Sequence, residues 1–381
     1  MSQQEYFGND SIQNLAGIIA KEKPESIFLV TGMDSYAISG AEGAINSMLS
    51  NYPGNVGRFY QFETNPKLED AERGLEIFME DSYDMVIAVG GGSVIDMAKL
   101  INIFGAHHNG NPMQYATNAI PITNKGKTFV AIPTTSGSGS EATRFAVVYI
   151  DELKYSVAHD FLLPDYAIID PMLTITLPSL ETAYSGLDAF SQAVESFWSV
   201  NSTEESRMYS SEAISLVMRN LVCAVQNPTI IPSRYAMSKA ANLSGKAINI
   251  AKTTAPHAIS YTLTSVFGVP HGNSVMMTLG RIFRFNSEVD EESVVDPRGH
   301  QYVKEIMGKL NEMLGVSSSY DAEQRIDQLM EVVGLETRLS QLGITEGDIN
   351  LIARTVNLER LNNNPRKILD KDLRKILRDV L

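Results

Sequence analysis

The stretch DMVIAVGGGSVIDMAK (residues 84–99) decides the fold of the first half of this 381-residue chain. Its apolar run ends in three glycines, and the residues that follow have the apolar spacing of a helix. A strand that passes through a glycine-rich turn directly into a helix is typical of parallel sheets that bind phosphate groups. The stretch therefore predicts a strand, a phosphate-binding turn and a helix, in that order.

Similar patterns occur on both sides of this stretch. Five apolar runs predict further strands, at 26–32, 56–62, 128–135, 145–150 and 166–171. Helical spacing is found between them, at 68–80 and 95–104. Strands that alternate with helices favour an α/β domain with a doubly wound parallel sheet. Because helical spacing dominates after Leu177, we expect an α/β domain at 1–177 and an all-α domain at 178–381.

The composition limits the classes of partner. The formal net charge of −14 and the pI of about 4.9 argue against nucleic acid or an anionic membrane surface, and leave a small molecule as the expected partner. The single cysteine, Cys223, excludes an internal disulfide and fits a reducing compartment. Residues 1–10 have no signal pattern, and no apolar run is long enough to cross a membrane. We therefore expect a cytoplasmic protein.

Two loops rich in small residues follow predicted strands and are candidate phosphate sites. In the first, Gly90, Gly91 and Gly92 let a phosphate approach the backbone, while Ser93 and the first helical amides donate to it. This loop lacks the GxGxxG fingerprint. The second loop, at 133–141, offers three hydroxyl groups, those of Thr134, Thr135 and Ser138. A flexible connection between strand and helix is the alternative interpretation of the second loop.

Gly32 bears on the choice between NAD(H) and NADP(H). An acidic residue at the end of an early strand commonly binds the ribose 2′-hydroxyl and repels a 2′-phosphate. Here the predicted strand ends in glycine, and Asp34 follows two residues later. The sequence therefore allows both NAD(H) and NADP(H), and leans towards NADP(H).

Four residues of the second half form a candidate metal site. Asp188 and Gln192 are four residues apart and share one face of a predicted helix, while His257 and His271 lie at the two ends of HAISYTLTSVFGVPH (257–271). A carboxylate, two imidazoles and an amide oxygen can hold a divalent ion that polarises a carbonyl group as a Lewis acid. The same spacing also fits a solvated helix face, so both interpretations stay open.

Five motifs in a fixed order resemble a known family. The motifs are GGGSVIDMAK, PTTSGSGSE, LPDYAIIDP, GLDAFSQAVES and HAISYTLTSVFGVPHG, and through them the chain resembles the iron-containing (group III) alcohol dehydrogenases over nearly its whole length. The resemblance implies a dehydroquinate synthase-like fold and an NAD(P)-dependent alcohol dehydrogenase or aldehyde reductase. It also implies a divalent metal, Fe²⁺ or Zn²⁺, in the cleft between the two domains, and a homodimer.

The resemblance carries over to individual residues. It places Asp188, His257 and His271 on metal-ligand positions, and it places seven residues on nucleotide-binding positions: Gly91, Gly92, Ser93, Asp96, Thr134, Thr135 and Lys154. Gly32 falls where many members have an aspartate that selects NAD. The chain departs from the family pattern at Gln192, where a ligand histidine is usual, and at Tyr261, where a second histidine is usual. Tyr261 is either a proton donor or a packing residue.

Three segments resemble the phosphonoacetaldehyde reductase branch of this family: AINIAKTTAPHAISY (247–261), SQAVESFWSVNS (191–202) and NNNPR (362–366). The resemblance implies reduction of phosphonoacetaldehyde to 2-hydroxyethylphosphonate. A dianionic phosphonate needs cations and hydroxyl donors. The candidates for these roles are Lys252, Thr253, Thr254, Arg366 and Arg144, and Lys252 and Tyr261 are also the candidate catalytic residues. Two alternatives remain: a generalist short-chain alcohol or polyol dehydrogenase, and an inactive cofactor-binding relative that has lost the metal site through Gln192.

Overall fold

A computed structural model describes residues 3–151 and 153–381. Within it the chain divides into two compact units. The first unit contains the residues up to Leu177 together with Pro228–Ser238, and the second contains Pro178–Asn227 and Lys239–Leu381. The buried guanidinium group of Arg234 attaches the short segment to the first unit, because it donates to the carbonyl oxygens of Leu177 and Pro228 at 3.2 and 2.8 Å.

All the strands of the described residues lie in the first unit. They are β1 (Gln4–Phe7), β2 (Ser26–Thr31), β3 (Asn55–Phe59), β4 (Met85–Gly90), β5 (Thr128–Pro133), β6 (Phe145–Ile150), β7 (Leu153–Ala158) and β8 (Tyr166–Ile169). Six of them form a parallel sheet in the order β1-β8-β5-β4-β2-β3. The sequence-based expectation of a parallel sheet is therefore confirmed.

The helices of the first unit precede the long helical part of the chain. They are α1 (Asn14–Glu22), α2 (Ser35–Ile38), α3 (Ala41–Leu49), α4 (Leu68–Glu80), α5 (Gly92–Gly105) and α6 (Pro112–Ala116). The sheet is apolar on both faces because alternate residues of its central strands point to opposite sides. Phe28 and Val30 of β2 join a core with residues of α4 and α5, whereas Ile27 and Leu29 join a core with residues of α1 and α3. This is the doubly wound arrangement that the alternating pattern predicts.

The strand order creates a crevice between β2 and β4. From β2 the chain passes through α2 and α3 to β3 on one side, and from β4 it passes through α5 and α6 to β5 on the other. In open parallel sheets, ligands bind outside the carboxyl ends of the strands at such a switch point. Gly32 follows β2 and Gly90 ends β4, and the register pairs Thr31 with Val89, so both glycines lie at this edge.

Two strands were not expected from the sequence. β1 occupies one edge of the sheet and pairs with β8, and β7 pairs with β6 in an antiparallel hairpin outside the main sheet. The apolar run at 145–150 is a strand as predicted, and it forms part of this hairpin. Both unexpected strands are short and partly exposed, and they lack the continuous apolar run of a buried strand.

The second unit is helical, which confirms the fold class predicted for this half. The helices are α7 (Ser179–Trp198), α8 (Glu204–Gln226), α9 (Ile231–Ala251), which begins in the first unit, α10 (Ala255–Ser265), α11 (His271–Ser287), α12 (His300–Leu314), α13 (Ser319–Val332), α14 (Ile349–Arg354), α15 (Leu358–Leu361) and α16 (Asp370–Asp379). None of the helices in 3–151 and 153–381 is long and apolar enough to span a membrane.

Candidate active site

The glycine turn between β4 and α5 packs directly against the loop that follows β5. The amide of Thr134 donates to the carbonyl oxygen of Gly90 at 3.0 Å. A Cβ atom at Gly92 would lie 2.6 Å from the Oγ atom of Ser138, so only glycine allows this close approach. The two loops that the sequence singled out as phosphate sites therefore lie side by side at the carboxyl edge of the sheet.

The side chains of these loops differ in exposure. Thr134 is buried, whereas Ser93, Thr135 and Ser138 are partly exposed at the edge where a ligand would bind. The hydroxyl of Ser93 accepts a hydrogen bond from the backbone amide of Asn65 at 3.3 Å. The structure thus brings the predicted loop residues together, and the partly exposed hydroxyl groups are the ones able to meet a phosphate.

Asp96 lies one turn into α5, and both of its carboxylate oxygens accept hydrogen bonds from the protein. Oδ1 accepts from the hydroxyl of Ser140 at 2.6 Å, and Oδ2 accepts from the amide of Val147 at 3.0 Å. Burial raises the pKa of Asp96, and the nearby cations Lys99 and Lys154 oppose this rise. Asp96 therefore fixes the second loop and β6 to the helix, and the nucleotide contact that the resemblance implies for it stays a prediction.

Lys99 is a buried cation that sequence reasoning missed. Its ammonium group donates to the carbonyl oxygens of Ser140, Thr143 and Phe145 at 2.7, 2.8 and 2.7 Å. Burial lowers its pKa to about 8, although Asp96 favours the charged form. Lys99 therefore binds the segment 140–145 to the first turns of α5. These hydrogen bonds hold the second loop beside the glycine turn.

Three helices of the second unit bring the candidate metal ligands together. Asp188 lies on α7, His257 on α10, and His271 is the first residue of α11. The Oδ1 atom of Asp188 lies 3.4 Å from Nε2 of His257 and 3.8 Å from Nε2 of His271. The three ligand atoms all lie within 4.8 Å of one another. The interpretation of Asp188 as part of a solvated face is wrong, because this residue is only 7% exposed.

A close contact between two helix segments brings His271 within reach of Asp188. A Cβ atom at Gly272 would lie 1.9 Å from the carbonyl oxygen of Tyr184 on α7, so any other residue would push α11 away. Pro270 immediately precedes α11 and sets the start of the helix. The PHG sequence at 270–272 therefore starts the helix and permits the approach that brings the His271 imidazole close to Asp188.

Glu195 is the main residue of this site that sequence reasoning missed. It is fully buried on α7, seven residues after Asp188, and its carboxylate accepts a hydrogen bond from Nδ1 of His257. The same carboxylate accepts from the amide and the hydroxyl of Thr254 at 2.7 and 3.0 Å. Because Nδ1 is held by Glu195, the Nε2 atom of His257 is the one that faces Asp188. An outer carboxylate of this kind commonly orients a metal-binding imidazole.

The charge balance around His257 explains its pKa. Burial alone would lower the pKa of this imidazole, but the carboxylates of Glu195 and Asp188 outweigh burial and raise it to about 9. The imidazole is therefore protonated at neutral pH, where its positive charge offsets the two buried carboxylates.

Gln192 lies between Asp188 and Glu195 on the same face of α7, and its amide is held at both ends. Nε2 donates to Oδ2 of Asp188 at 3.1 Å, and Oε1 accepts from the hydroxyl of Ser244 at 3.2 Å. The amide nitrogen, not the oxygen, therefore faces the ligand group, and Gln192 must invert its amide before it can act as a metal ligand. The single hydroxyl hydrogen of Ser244 can point instead to the carbonyl oxygen of Ala241 at 2.9 Å, and the hydroxyl oxygen can then accept from the inverted amide.

The donor set of this group fits a divalent metal ion. Two ligand atoms that each lie 2.0–2.2 Å from a tetrahedral ion are about 3.3–3.6 Å apart, close to the distances from Asp188 to the two histidines. One carboxylate and two imidazoles suit Zn²⁺ or Fe²⁺ and leave a position for a further ligand. The described residues therefore form a site that can hold such an ion without rearrangement of the backbone.

The residues proposed to bind substrate have mixed surroundings. Tyr261 is partly exposed on α10 and lies one turn after His257, so the two side chains share a face of the helix. Thr254 is fully buried, and its hydroxyl both donates to Glu195 and accepts from the indole of Trp198. Thr253 is buried, and its carbonyl oxygen accepts from Asn363. Thr254 therefore supports Glu195, and its contact with a substrate stays a prediction.

The candidate cations also have partners within the protein. Lys252 directly follows α9 with a φ of 59°, and its ammonium group lies 3.0 Å from the carboxylate of Glu359. Arg366 packs over the ring of Phe285, and it lines a cavity whose described lining residues include none of the metal group. In the first unit, Arg144 pairs with Asp160 at 2.6 Å. Lys252, which lies five residues before His257, is the cation that the sequence ties most closely to the metal group.

The comparison with protein families identifies the chain. Residues 2–171 match the family described as iron-containing alcohol dehydrogenase, and residues 182–381 match the C-terminal domain of the same family. The chain belongs to the iron-containing alcohol dehydrogenase family. It is accordingly an oxidoreductase, and the family uses NAD(P) and a divalent metal.

Individual relatives differ in their named substrates. The chain is 32% identical to long-chain-alcohol dehydrogenase 1 of Geobacillus thermodenitrificans over 82% of this chain and 78% of the relative. It is 33% identical to phosphonoacetaldehyde reductase of Streptomyces viridochromogenes over 77% of this chain and 75% of the relative. Among solved structures, sulfoacetaldehyde reductase of Bifidobacterium kashiwanohense in complex with NAD⁺ superimposes with a TM-score of 0.87. That pair shares 27% identity over 99% of this chain and 96% of the relative.

Replacement of the carboxylate that holds His257 should weaken metal binding. We expect Glu195→Gln to lower the affinity for Zn²⁺ by about 10- to 100-fold, because the imidazole loses the partner that orients it. The measurement is competition with a zinc chelator on metal-stripped protein. Ser191→Ala is the matched control, since this buried hydroxyl on the same helix donates to the carbonyl oxygen of Asp188. Wild-type affinity in Glu195→Gln would contradict the role assigned to Glu195.

The inversion of the Gln192 amide can be tested in the same way. Gln192→Leu should lower Zn²⁺ affinity at least as much as Glu195→Gln does. Leucine is similar in size to glutamine but lacks the amide oxygen that would coordinate the ion. Ser244→Ala should lower it by about 5-fold, the effect of one neutral hydrogen bond, because the inverted amide loses its acceptor. Equal affinities for wild type and Gln192→Leu would show that the amide oxygen is not a ligand.

Proposed function

We propose that this chain reduces phosphonoacetaldehyde to 2-hydroxyethylphosphonate with NAD(P)H and a divalent metal ion. The observation that carries the oxidoreductase chemistry is the convergence of Asp188, His257 and His271 with the buried Glu195 behind His257. The dinucleotide would bind at the glycine turn of Gly90–Ser93 and the neighbouring loop after β5. The phosphonate substrate is supported by the resemblance of three segments and by the Streptomyces relative.

The residues of the site have distinct tasks in this reaction. A divalent ion held by Asp188, His257 and His271 would polarise the aldehyde carbonyl, and NAD(P)H would supply the hydride. Glu195 orients His257, so that the Nε2 lone pair is available on the side of Asp188 once the imidazole is neutral. The aldehyde gains a hydride and a proton and becomes the alcohol, while NAD(P)H becomes NAD(P)⁺.

Tyr261 is the proposed source of the proton. Its position one turn after His257 brings the phenol to the same face of α10, and its side chain is partly exposed. A hydroxyl donor near the carbonyl can pass its proton to the oxygen that becomes the alcohol. The family pattern that the chain resembles has a histidine at this position, which can also donate a proton. A tyrosine here therefore keeps a proton donor at the same place.

Lys252 is the proposed anchor of the phosphonate. Its left-handed backbone conformation is uncommon for a residue with a side chain and places the ammonium group just beyond the end of α9. Glu359, its partner, is 63% exposed, so the ion pair is weakly held. A dianionic phosphonate can therefore replace Glu359 as the partner of Lys252. The Bifidobacterium relative, named for sulfoacetaldehyde, also acts on an aldehyde with an anionic group.

A generalist alcohol dehydrogenase is the second candidate function. It is favoured by the pairing of Lys252 with Glu359, which lowers the positive charge available to an anion, and by the use of the Thr254 hydroxyl within the protein. The Geobacillus relative, which is 32% identical to this chain, is named for long-chain alcohols. An inactive cofactor-binding relative is the third candidate, on the ground that Gln192 replaces a ligand.

Substrate selectivity separates these three functions. We expect kcat/KM for phosphonoacetaldehyde to exceed that for propanal and lactaldehyde by about 100-fold or more, because charge-assisted hydrogen bonds contribute to recognition of the anion. The measurement is NADPH or NADH oxidation by protein loaded with Fe²⁺ or Zn²⁺. Equal rates would favour the generalist, and no rate with any aldehyde in metal-loaded protein would favour the inactive relative.

The anchor can be tested with a pair of variants. Lys252→Met should raise KM for phosphonoacetaldehyde by about 10-fold or more and leave propanal unaffected, because only the first of these two substrates has an anionic group for the ammonium group to bind. Glu359→Gln should lower the same KM, since the competing carboxylate loses its charge. If Lys252→Met slows both aldehydes equally, the lysine supports the local structure and does not bind the phosphonate.

A further inference from the structure

Arg58 lies on β3, beside the end of β2 where Gly32 stands. The parallel register pairs Leu29 of β2 with Arg58, so the arginine side chain lies close to Thr31. Its Nε atom donates to the hydroxyl of Thr31 at 2.9 Å. Since neighbouring strands are about 4.8 Å apart, β3 lies about 10 Å from β4 and its glycine turn. Arg58 is thus on the side of the crevice away from β5.

The guanidinium group of Arg58 is held between two aromatic rings. Its central carbon lies 4.7 Å from the ring centre of Tyr36 and 4.6 Å from that of Tyr60. Tyr36 is buried, and burial raises the pKa of its phenol to about 12, so it remains a neutral platform. Because contacts with the two rings restrict the guanidinium group, little conformational freedom is lost when the group binds an oxyanion.

Glu42 is the acidic partner of Arg58, and this pair is loose. The NH1 atom lies 3.6 Å from the Glu42 carboxylate, which is beyond hydrogen-bonding distance, and both side chains are about one-third exposed. Exposed ion pairs of this kind are weak. A phosphate carries more charge than a carboxylate and offers several acceptor oxygens, so it is the better partner for the guanidinium group.

Position 32 is a glycine, so the end of β2 has no acidic side chain to repel a phosphate. A Cβ atom at this position would lie 2.0 Å from the Oγ atom of Ser35, so a larger residue does not fit unless Ser35 moves. Asp34, two residues later, is exposed. The end of β2 therefore presents backbone, and the nearest fixed charge on the neighbouring strand is the cation of Arg58.

We propose that Arg58 binds the 2′-phosphate of NADPH and gives this chain a preference for NADPH over NADH. This inference rests on the dinucleotide site of the proposed function. A dinucleotide whose pyrophosphate lies at the glycine turn after β4 extends its adenosine ribose towards β2 and β3, where an arginine commonly accommodates the 2′-phosphate. Arg58 is then the residue that determines cofactor specificity, and Glu42 weakens the interaction by competing for the same guanidinium group.

The test uses the adenosine half of the cofactor alone, so it depends on neither the metal nor the aldehyde. Calorimetry would compare the affinities of the wild-type chain for 2′,5′-ADP and 5′-AMP. We expect 2′,5′-ADP to bind about 10- to 100-fold more tightly, which is the effect of one charge-assisted contact. Arg58→Met should reduce this ratio to about one. Glu42→Gln should increase it, because the competing carboxylate is gone.

Each other outcome has a definite meaning. Equal affinities in the wild type, or tighter binding of 5′-AMP, would overturn the proposal. So would an equal loss for both nucleotides in Arg58→Met, which would mean that the arginine only supports the fold. If Arg58→Met does not fold, the direction of the Glu42→Gln effect decides the matter, since a lower ratio contradicts the proposal. Failure of both nucleotides to bind would overturn the dinucleotide site as well, whereas a failed aldehyde assay would leave this result untouched.

Discussion

The ion pair between the buried carboxylate of Glu195 and His257 is the interaction on which the candidate metal group depends. A buried carboxylate costs several kcal/mol unless it is paired and hydrogen-bonded. Here it receives hydrogen bonds from the Thr254 amide and hydroxyl and from the His257 imidazole, all from the first residues of α10 and the residue before them. The carboxylate is satisfied only if α10 starts at this place and His257 points back to α7. One charge on α7 therefore fixes both the start of a second helix and the orientation of a ligand.

A second buried charge has a similar role in the α/β unit. Lys99 lies on the helix that follows the glycine turn, and its ammonium group is surrounded by oxygens of residues 140–145. The chain from Ser140 to Phe145 must fold around this group to satisfy it. Asp96, one turn earlier, holds the same segment through Ser140 and Val147. The loop after β5 is therefore shaped by charges on α5, and the glycines at 90–92 leave room for it to pack.

The sequence predicts those features that depend on local pattern. The buried strands at 26–32 and 84–92 have continuous apolar runs, and the family resemblance places Asp188, His257 and His271 on metal-ligand positions. β1 and β7 could not be predicted, because an edge strand and a half-exposed hairpin leave too few apolar residues to form a pattern. Glu195 shares a helix face with Asp188, a signal that was available, but its partner is 62 residues away. The hydrogen bonds of Thr254 to Glu195 could not be predicted for the same reason.

The glutamine at position 192 shows how a changed ligand can leave the structure of a site intact. An amide has a donor end and an acceptor end, and Ser244 can act as either partner because its hydroxyl both donates and accepts. In the orientation seen here the amide nitrogen donates to Oδ2 of Asp188, while Oδ1 of the same carboxylate faces the two histidines. With the opposite orientation the oxygen faces the ligand group and Ser244 takes the nitrogen. An ion bound by Asp188 must therefore compete with the hydrogen bond from Gln192 to Asp188. It follows that the affinity for the metal depends on Ser244 as well as on the ligands, because this hydroxyl allows the amide to invert.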